Sequence, residues 1–212
     1  KRQTMTLNAY LALYQEQAEQ GVRKTQKGTN FSPGTIKSIR LARHQFEVFQ
    51  VKSGRVYDFN DIDYGFRTMF LSYLYGDKKY NVNTAAKCIN TLVTILGAAE
   101  AEGYHNNTKC LSRQFRAKRK DVDNVYLTKE ELQAMMSADI SHLTKLHELA
   151  RDIFMVGVYT AQRVSDYNNI APENIVTGPD GEAIIRLRQK KTGTLLSIPV
   201  KDELKQILIK YD

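Results

Sequence analysis

The sequence predicts a mainly α-helical protein in two parts: a bundle of four helices, then a smaller α+β unit that contains a β-hairpin. Three observations lead to this prediction. Apolar residues in the first part recur at helical spacing. A polar, basic stretch at 104–125 interrupts that pattern, and short β-branched segments appear only near the end. With 42% apolar residues among 212, the chain can bury real cores.

Four amphipathic helices are expected in the first part. They are LNAYLALYQEQAEQ (7–20), SPGTIKSIRLARHQFEVFQ (32–50), IDYGFRTMFLSYLYG (62–76) and NVNTAAKCINTLVTILGAAEAEG (81–103). Ser32 can cap the second helix, with Pro33 at the first helical position, where its missing N–H costs nothing. Aromatic residues of this part lie at helical spacing, so we expect them in the core: Phe46, Phe49, Phe66, Phe70 and Tyr73.

The second part begins with helices and ends with a hairpin and a helix. Thr128 and Glu131 form a capping box at the start of the helix YLTKEELQAMM, and the helix LTKLHELARDIFMVGVYT leads to Arg163. The segments AIIRLRQ and TLLSIPV, joined by KKTG, predict a β-hairpin with Lys191 at its tip. A helix, KDELKQILIKYD, follows the hairpin. These patterns predict a helical domain at 1–108, a basic linker at 109–125 and a second domain at 126–212.

The net charge of +8 is unevenly distributed. Residues 1–120 carry 20 Lys+Arg and 9 Asp+Glu, a net of +11, whereas residues 121–212 carry 11 and 14, a net of −3. Within 113–120, five of eight residues are basic. A basic half of this kind favours a polyanionic partner, above all nucleic acid, although the same charge can serve only to keep a protein in solution.

Other function classes are disfavoured by the same composition. Cys88 and Cys110 have neither CxxC spacing nor a histidine at metal-ligand spacing, so we predict no disulfide, no metal, no cofactor and a reducing, cytoplasmic environment. Charges interrupt every apolar run and no signal pattern is present, so no membrane association is expected. Because the chain begins at Lys1 and not at Met, we expect it to be a piece of a longer protein.

Two cations in the second part are candidates for holding a phosphate. Arg163 offers a planar fork that matches two phosphate oxygens, and Lys191 is a compact charge whose pKa can be lowered until it gives up its proton. Together they suggest phosphoryl chemistry. Each also has a plainer interpretation, Arg163 as a solvated or salt-bridged residue and Lys191 as a turn charge.

The segments TAQRVSDYNNIAPENI (160–175) and IIRLRQKKTGTLLSIPV (184–200) resemble the tyrosine recombinases, or phage integrases. That family carries a Thr-Gly-Leu-Arg segment with an acidic residue three positions after the arginine, and then a strand turn with Lys-Thr. The resemblance implies that Arg163 is the first catalytic arginine, Asp166 its acidic partner and Lys191 the hairpin lysine. TAQR departs from the usual Gly-Leu, the two residues that shape this helix end.

The resemblance covers essentially the whole chain and implies a fold and an activity. Its first part is similar to the four-helix SAM-like core-binding domain, and its second to the N-terminal part of the α+β catalytic domain. The implied activity is site-specific DNA recombination or integration by a mobile element, through a phosphotyrosine intermediate. The arginine would clamp the scissile phosphate and the lysine would protonate the leaving 5′ oxygen.

Other residues that the family needs do not follow the hairpin in this sequence. No His-x-x-Arg segment occurs after Lys191, and Tyr211 lies in the next helix, where the family has no nucleophile. We therefore expect a truncated recombinase that binds DNA without cleaving it. Two alternatives stay open: a non-catalytic helical DNA-binding protein, and a helical protein-interaction module whose charge serves only solubility.

The resemblance also implies a partner, double-stranded DNA, with the second and fourth helices against the major groove. Most contacts would be to phosphate, because Lys and Thr side chains and the backbone N–H groups at helix starts bind phosphate oxygens and so position a protein on DNA. Homotetramers on DNA are typical of such recombinases, so a homo-oligomer is expected. Each candidate contact has a solvated role as its alternative. The candidates are Thr35, Lys37, Arg40, Lys79, Tyr80, Asn83, Thr84 and Lys87, and the basic linker residues Arg116, Lys118, Arg119 and Lys120.

Overall fold

A computed structural model describes residues 5–211, which form two compact units divided between Asp123 and Asn124. The described residues are mainly helical, with one small antiparallel sheet in the second unit, so the predicted fold class is confirmed. Among them, no helix has both the length and the apolar character that a membrane crossing requires.

The first unit is built on four helices that match the four predicted segments. They are α1 (Leu7–Glu19), α2 (Pro33–Ser53), α3 (Tyr64–Gly76) and α4 (Val82–Ala101). Ser32 caps α2 as expected, since its hydroxyl accepts a hydrogen bond from the Thr35 amide at 3.2 Å. Helix α2 extends three residues past its predicted end, to Ser53, and Gly54 then closes it in the left-handed conformation.

Aromatic side chains fill the core of this unit. The ring of Phe49 lies 5.8 Å from that of Phe66, 5.3 Å from Phe70 and 5.4 Å from Tyr73, measured between centroids. These rings and Phe46 are buried, as the helical spacing predicts. Tilted and edge-on contacts of this kind add to the free energy of burying the rings, so the aromatic cluster fixes how α2 and α3 pack.

The chain after α4 continues to pack on the first unit. Cys110, Phe115 and Ala117 are buried in its core, although the sequence predicts a linker from residue 109. A single short 3₁₀ turn (Lys109–Leu111) interrupts otherwise irregular backbone. Because isolated apolar residues on irregular backbone have no period, the sequence pattern cannot reveal their burial.

The second unit combines short helices with a three-stranded sheet. Its elements are α5 (Lys129–Ser137), α6 (Lys145–Thr160), α7 (Val164–Tyr167), β1 (Ile175–Thr177), β2 (Ala183–Arg188), β3 (Leu195–Pro199) and α8 (Asp202–Lys210). The capping box at α5 forms as predicted. The Glu131 amide donates to the Thr128 hydroxyl at 3.2 Å, and the Thr128 amide donates to the Glu131 carboxylate at 2.7 Å.

The sheet contains one strand that the sequence did not predict. Strand β1 pairs antiparallel with β2, placing Ile175 opposite Ile185, and β2 pairs with β3 as the predicted hairpin. A strand of three residues is too short to display alternation, which is why β1 escapes detection. Ile185 and Leu187 of β2 pack with Leu204 of α8 to form the small core of this unit.

A buried carboxylate holds α8 against α6. Asp152 accepts hydrogen bonds from Lys210 Nζ at 2.6 Å and from the Tyr211 hydroxyl at 2.8 Å. Burial favours the neutral acid, but these two hydrogen bonds and the positive charge of Lys210 hold the pKa of Asp152 below its ordinary value. Lys210 also pairs with Glu148 on α6, so one lysine joins two carboxylates of that helix.

Candidate functional site

Arg163 lies between two helices. Helix α6 ends at Thr160, Ala161 adopts the left-handed conformation with φ 52°, and Arg163 takes the extended N-cap position of α7. The Arg163 side chain is 48% exposed. A sharp change of backbone direction therefore places the Arg163 side chain at the surface, where about half of the side chain is accessible.

Asp166 connects this segment to the β2–β3 hairpin. Its side chain is fully buried, and Oδ1 accepts a hydrogen bond from the Lys190 backbone amide at 2.9 Å. Oδ2 lies 3.6 Å from Arg163 Nη1 and has no hydrogen-bond partner among the described residues. Asp166 thus contacts both Arg163 and Lys190, the residue before Lys191.

A second hydrogen bond joins the same two segments. Gln162 accepts a hydrogen bond from Gln189 Nε2 at 2.8 Å and donates to the Thr160 carbonyl at 3.0 Å. Gln162 stands at the leucine position of the family's motif, so the departure from that motif supplies a polar contact to the hairpin. Sequence reasoning missed the link because its partner lies 27 residues away in the chain.

The turn that carries Lys191 is closed by backbone hydrogen bonds. The Gln189 amide donates to the Thr194 carbonyl and the Gly193 amide to the Gln189 carbonyl, both at 2.8 Å. Gly193 adopts φ 73°, which glycine takes without strain. Lys191 is exposed at the tip. Arg163 and Lys191 are therefore brought to one region of the second unit, each with an accessible cationic group suited to phosphate.

In the first unit, an open groove of about 660 Å³ lies between α2 and α4. Four of the twelve predicted DNA contacts line it: Thr35 on α2, Lys87 on α4, and Arg116 and Arg119 on the basic segment. Ser38, Asn90, Thr91 and Thr94 add polar groups along its walls. Three cations and several hydroxyl groups around one concave surface form a site suited to a phosphate backbone.

The other predicted DNA contacts are placed differently. Lys37, Lys79, Lys118 and Lys120 are exposed, and Thr84 lies in the first turn of α4, where its amide donates to Asn81. Arg40 is paired with Glu19 at 2.6 Å, and this hydrogen bond lowers the pKa of Glu19. Tyr80 packs against the core, and burial raises its pKa.

Asn83 and a residue that sequence reasoning missed, Asn90, hold the basic segment. The Asn83 amide group donates to the Lys120 carbonyl at 3.0 Å and accepts from the Lys120 amide at 2.9 Å. Asn90 makes the same pair of bonds with Ala117, both at 3.0 Å. The repeat of asparagine at positions seven apart on α4 is the sequence signal that could have revealed this pair.

No group of three or more histidine, cysteine, aspartate or glutamate residues between positions 5 and 211 is arranged to hold a metal ion. Cations bind a phosphate, and buried hydrogen bonds fix the backbone that carries them.

A helical unit with a basic groove and an α+β unit with Arg163, Asp166 and Lys191 grouped by one hairpin together have the architecture expected of an integrase. The model of the phage integrase SAM-like domain family matches residues 9–115, half of the chain. The chain therefore belongs to the phage integrase, or tyrosine recombinase, family. This confirms the resemblance found in the sequence.

Solved structures share the fold. A lambda integrase tetramer bound to a Holliday junction is similar over 98% of this chain and 56% of its own, with a TM-score of 0.64 and 24% identity. The XerH site-specific recombinase bound to difH, in a pre-cleavage complex, is similar over 93% of this chain and 55% of its own, with a TM-score of 0.55 and 15% identity. The chain thus spans about half the length of these recombinases. No curated protein matches it by sequence.

Proposed function

We propose that this chain carries the DNA-binding domain and part of the catalytic domain of a site-specific recombinase of a mobile element. The proposed domains are 1–108 for DNA binding, 109–125 for a basic linker whose first part packs against that domain, and 126–212 for the catalytic part. The proposed partner is double-stranded DNA, on which the protein would act as a homo-oligomer in the cytoplasm. The two similar structures, a lambda integrase tetramer bound to a Holliday junction and the XerH recombinase bound to its difH substrate, support this partner.

The observation that carries the proposal is the basic groove between α2 and α4. Lys87, Arg116 and Arg119 line it together with hydroxyl groups, in the unit that matches the integrase family. Cations placed against a DNA backbone displace condensed counterions, which raises affinity at low salt. The exposed Lys118 and Lys120 extend the same positive surface along the chain.

In the catalytic part, Arg163 would bind the oxygens of the scissile phosphate through its planar fork. Lys191 would donate a proton to the leaving 5′ oxygen as the bond between that oxygen and phosphorus breaks. Asp166 would fix the geometry of both through its contacts to Arg163 and Lys190. Since no histidine follows Lys191 in these 212 residues, we propose that this chain binds DNA and does not cleave it.

DNA binding is tested by fluorescence anisotropy with a labelled duplex at two salt concentrations. We expect an affinity that falls steeply with salt, and replacing Lys87 and Arg119 with glutamine should reduce the slope of log K against log salt by up to about 0.9 per cation. Lys52→Gln is the control, because Lys52 is paired with Asp77 and does not line the groove. A chain without affinity for the duplex would instead support the protein-interaction module.

Cleavage is tested separately, by incubating the chain with att-like duplex DNA and separating the products on a denaturing gel. We expect no covalent protein–DNA adduct, and an adduct trapped on any tyrosine would contradict the proposal. The alternative of a non-catalytic DNA-binding protein is tested in a longer form of the protein. There, Arg163→Ala and Lys191→Ala should abolish strand cleavage and retain binding; if neither changes, the non-catalytic alternative holds.

A further inference from the structure

Two asparagine side chains of α4 form hydrogen bonds with the backbone of the basic segment Arg116–Lys120, one near each end of the segment. Asn83 and Asn90 are seven residues apart, so they lie on the same face of the helix, about 10.5 Å apart along its axis. Ala117 and Lys120 are three residues apart, which in an extended chain corresponds to about 10 Å. The two spacings agree, so both asparagines can bind the segment at once.

Each asparagine satisfies both backbone groups of its partner residue. Asn83 binds the carbonyl and the amide of Lys120, and Asn90 binds the carbonyl and the amide of Ala117, at 2.9 to 3.0 Å. The segment has no helix or strand of its own, so these side chains take the place of a neighbouring strand. Its N-terminal end is held by a third contact, from Arg67 Nε to the Phe115 carbonyl at 2.7 Å.

The side chains of the held segment divide between core and surface. Ala117 is buried, whereas Arg116, Lys118, Arg119 and Lys120 are exposed. Arg116 and Arg119 line the groove with Lys87, which lies between the two asparagines on α4. The hydrogen bonds therefore hold the backbone from which four cationic side chains project, and the side chains themselves stay exposed.

We propose that Asn83 and Asn90 are positioning residues that preorganise the basic segment for binding to the DNA backbone. This inference rests on the proposed DNA-binding function and assigns Asn83 a role different from the direct DNA contact predicted from the sequence. Ordering a free segment on binding would cost conformational entropy, and a segment that is already held avoids this cost.

The test uses the full chain with Asn83→Ala, Asn90→Ala and the double variant, and Asn106→Ala as the control, an exposed asparagine of the same unit. Amide hydrogen exchange measured by NMR should be at least tenfold faster at Lys120 in Asn83→Ala and at Ala117 in Asn90→Ala. Duplex affinity at constant salt should fall about tenfold in the double variant. Asn106→Ala should change neither quantity.

A double-mutant cycle separates positioning from a general loss of stability. With Arg116, Lys118, Arg119 and Lys120 replaced by glutamine, the further change Asn83→Ala should no longer reduce affinity, because no cations are left to position. Should the double asparagine variant fail to fold, the single variants and this cycle still decide the question.

Three results would overturn the inference. The first is unchanged exchange at Lys120 and Ala117, which would mean that the asparagines do not hold the segment. The second is faster exchange with unchanged duplex affinity, and the third is an equal loss of affinity in the background that lacks the four cations. A wild-type chain that binds no duplex would instead refute the proposed function, and the positioning role with it, whereas the exchange data would still report the backbone contacts.

Discussion

Asp166 Oδ1 accepts a hydrogen bond from the Lys190 backbone amide at 2.9 Å, across 24 residues of sequence. Through this contact one buried carboxylate joins the start of α7 to the turn of the β2–β3 hairpin. The same carboxylate lies 3.6 Å from Arg163 through its other oxygen. The relative placement of the two candidate phosphate-binding cations therefore depends on a side chain that does not itself need to touch the phosphate.

Asp166→Ala should release the hairpin turn. The Lys190 amide would lose its acceptor, and we expect its hydrogen exchange to accelerate at least tenfold and the second unit to lose roughly 1–3 kcal/mol of stability. Asp166→Asn is the matched variant, because its Oδ1 can still accept from Lys190. NMR exchange and urea unfolding measure the two effects. Equal exchange at Lys190 in the wild type and the alanine variant would refute the role given to Asp166.

Ala161→Gly should stabilise the second unit. Ala161 ends α6 with φ 52° and ψ 29°, a conformation that costs an L-residue with a Cβ roughly 1–2 kcal/mol and glycine almost nothing. Part of this gain is lost because glycine is freer in the unfolded chain, so we expect a net gain of about 0.5–1 kcal/mol. Thermal unfolding measures it, with Ala138→Gly after α5 as the control, since Ala138 has φ −62° and should gain nothing.

The buried Asp152 predicts an acid-sensitive contact between α6 and α8. Its pKa is lowered in the folded state, so its contribution to stability is complete above the unfolded pKa of about 3.9 and is lost as pH falls through the folded pKa. Asp152→Asn should lower the free energy of unfolding by roughly 1–3 kcal/mol at pH 7. Acidification should then reduce the stability of this variant less than it reduces that of the wild type.

Urea unfolding at pH 7 and at pH 3, followed by circular dichroism, measures this difference. Asp180→Asn is the control, because Asp180 is exposed in the turn between β1 and β2. If acid lowers the stability of Asp152→Asn as steeply as that of the wild type, Asp152 is not the group responsible.

Cys88 and Cys110 should be unreactive in the folded chain. Both thiols are buried, and burial raises the pKa of each to about 11, so almost no thiolate is present at pH 8. A disulfide-exchange reagent such as dithionitrobenzoate should modify neither cysteine at pH 8 in buffer and both in concentrated urea. Rapid labelling of either cysteine without urea would show that the first unit opens far more readily than its packing indicates.

Local signals in the sequence determined much of this protein. Apolar spacing predicted the four helices of the first unit, Ser32 and the Thr128–Glu131 box predicted helix starts, and the alternating segments predicted the β2–β3 hairpin. Arg163, Asp166 and Lys191 were identified because their residue types and spacing resemble a family motif. The family model matches residues 9–115, so the roles of these three residues stay a prediction.

Only the tertiary structure decided which polar side chains hold the sites in place. The bonds from Asn83 and Asn90 to the basic segment, from Gln189 to Gln162 and from Lys190 to Asp166 all connect residues at least 24 positions apart. In each, a polar side chain meets a partner whose place depends on the completed packing of helices and strands. Local propensity reports the conformation of a segment and carries no information about such a distant partner, so sequence reasoning could name the cations but not the residues that position them.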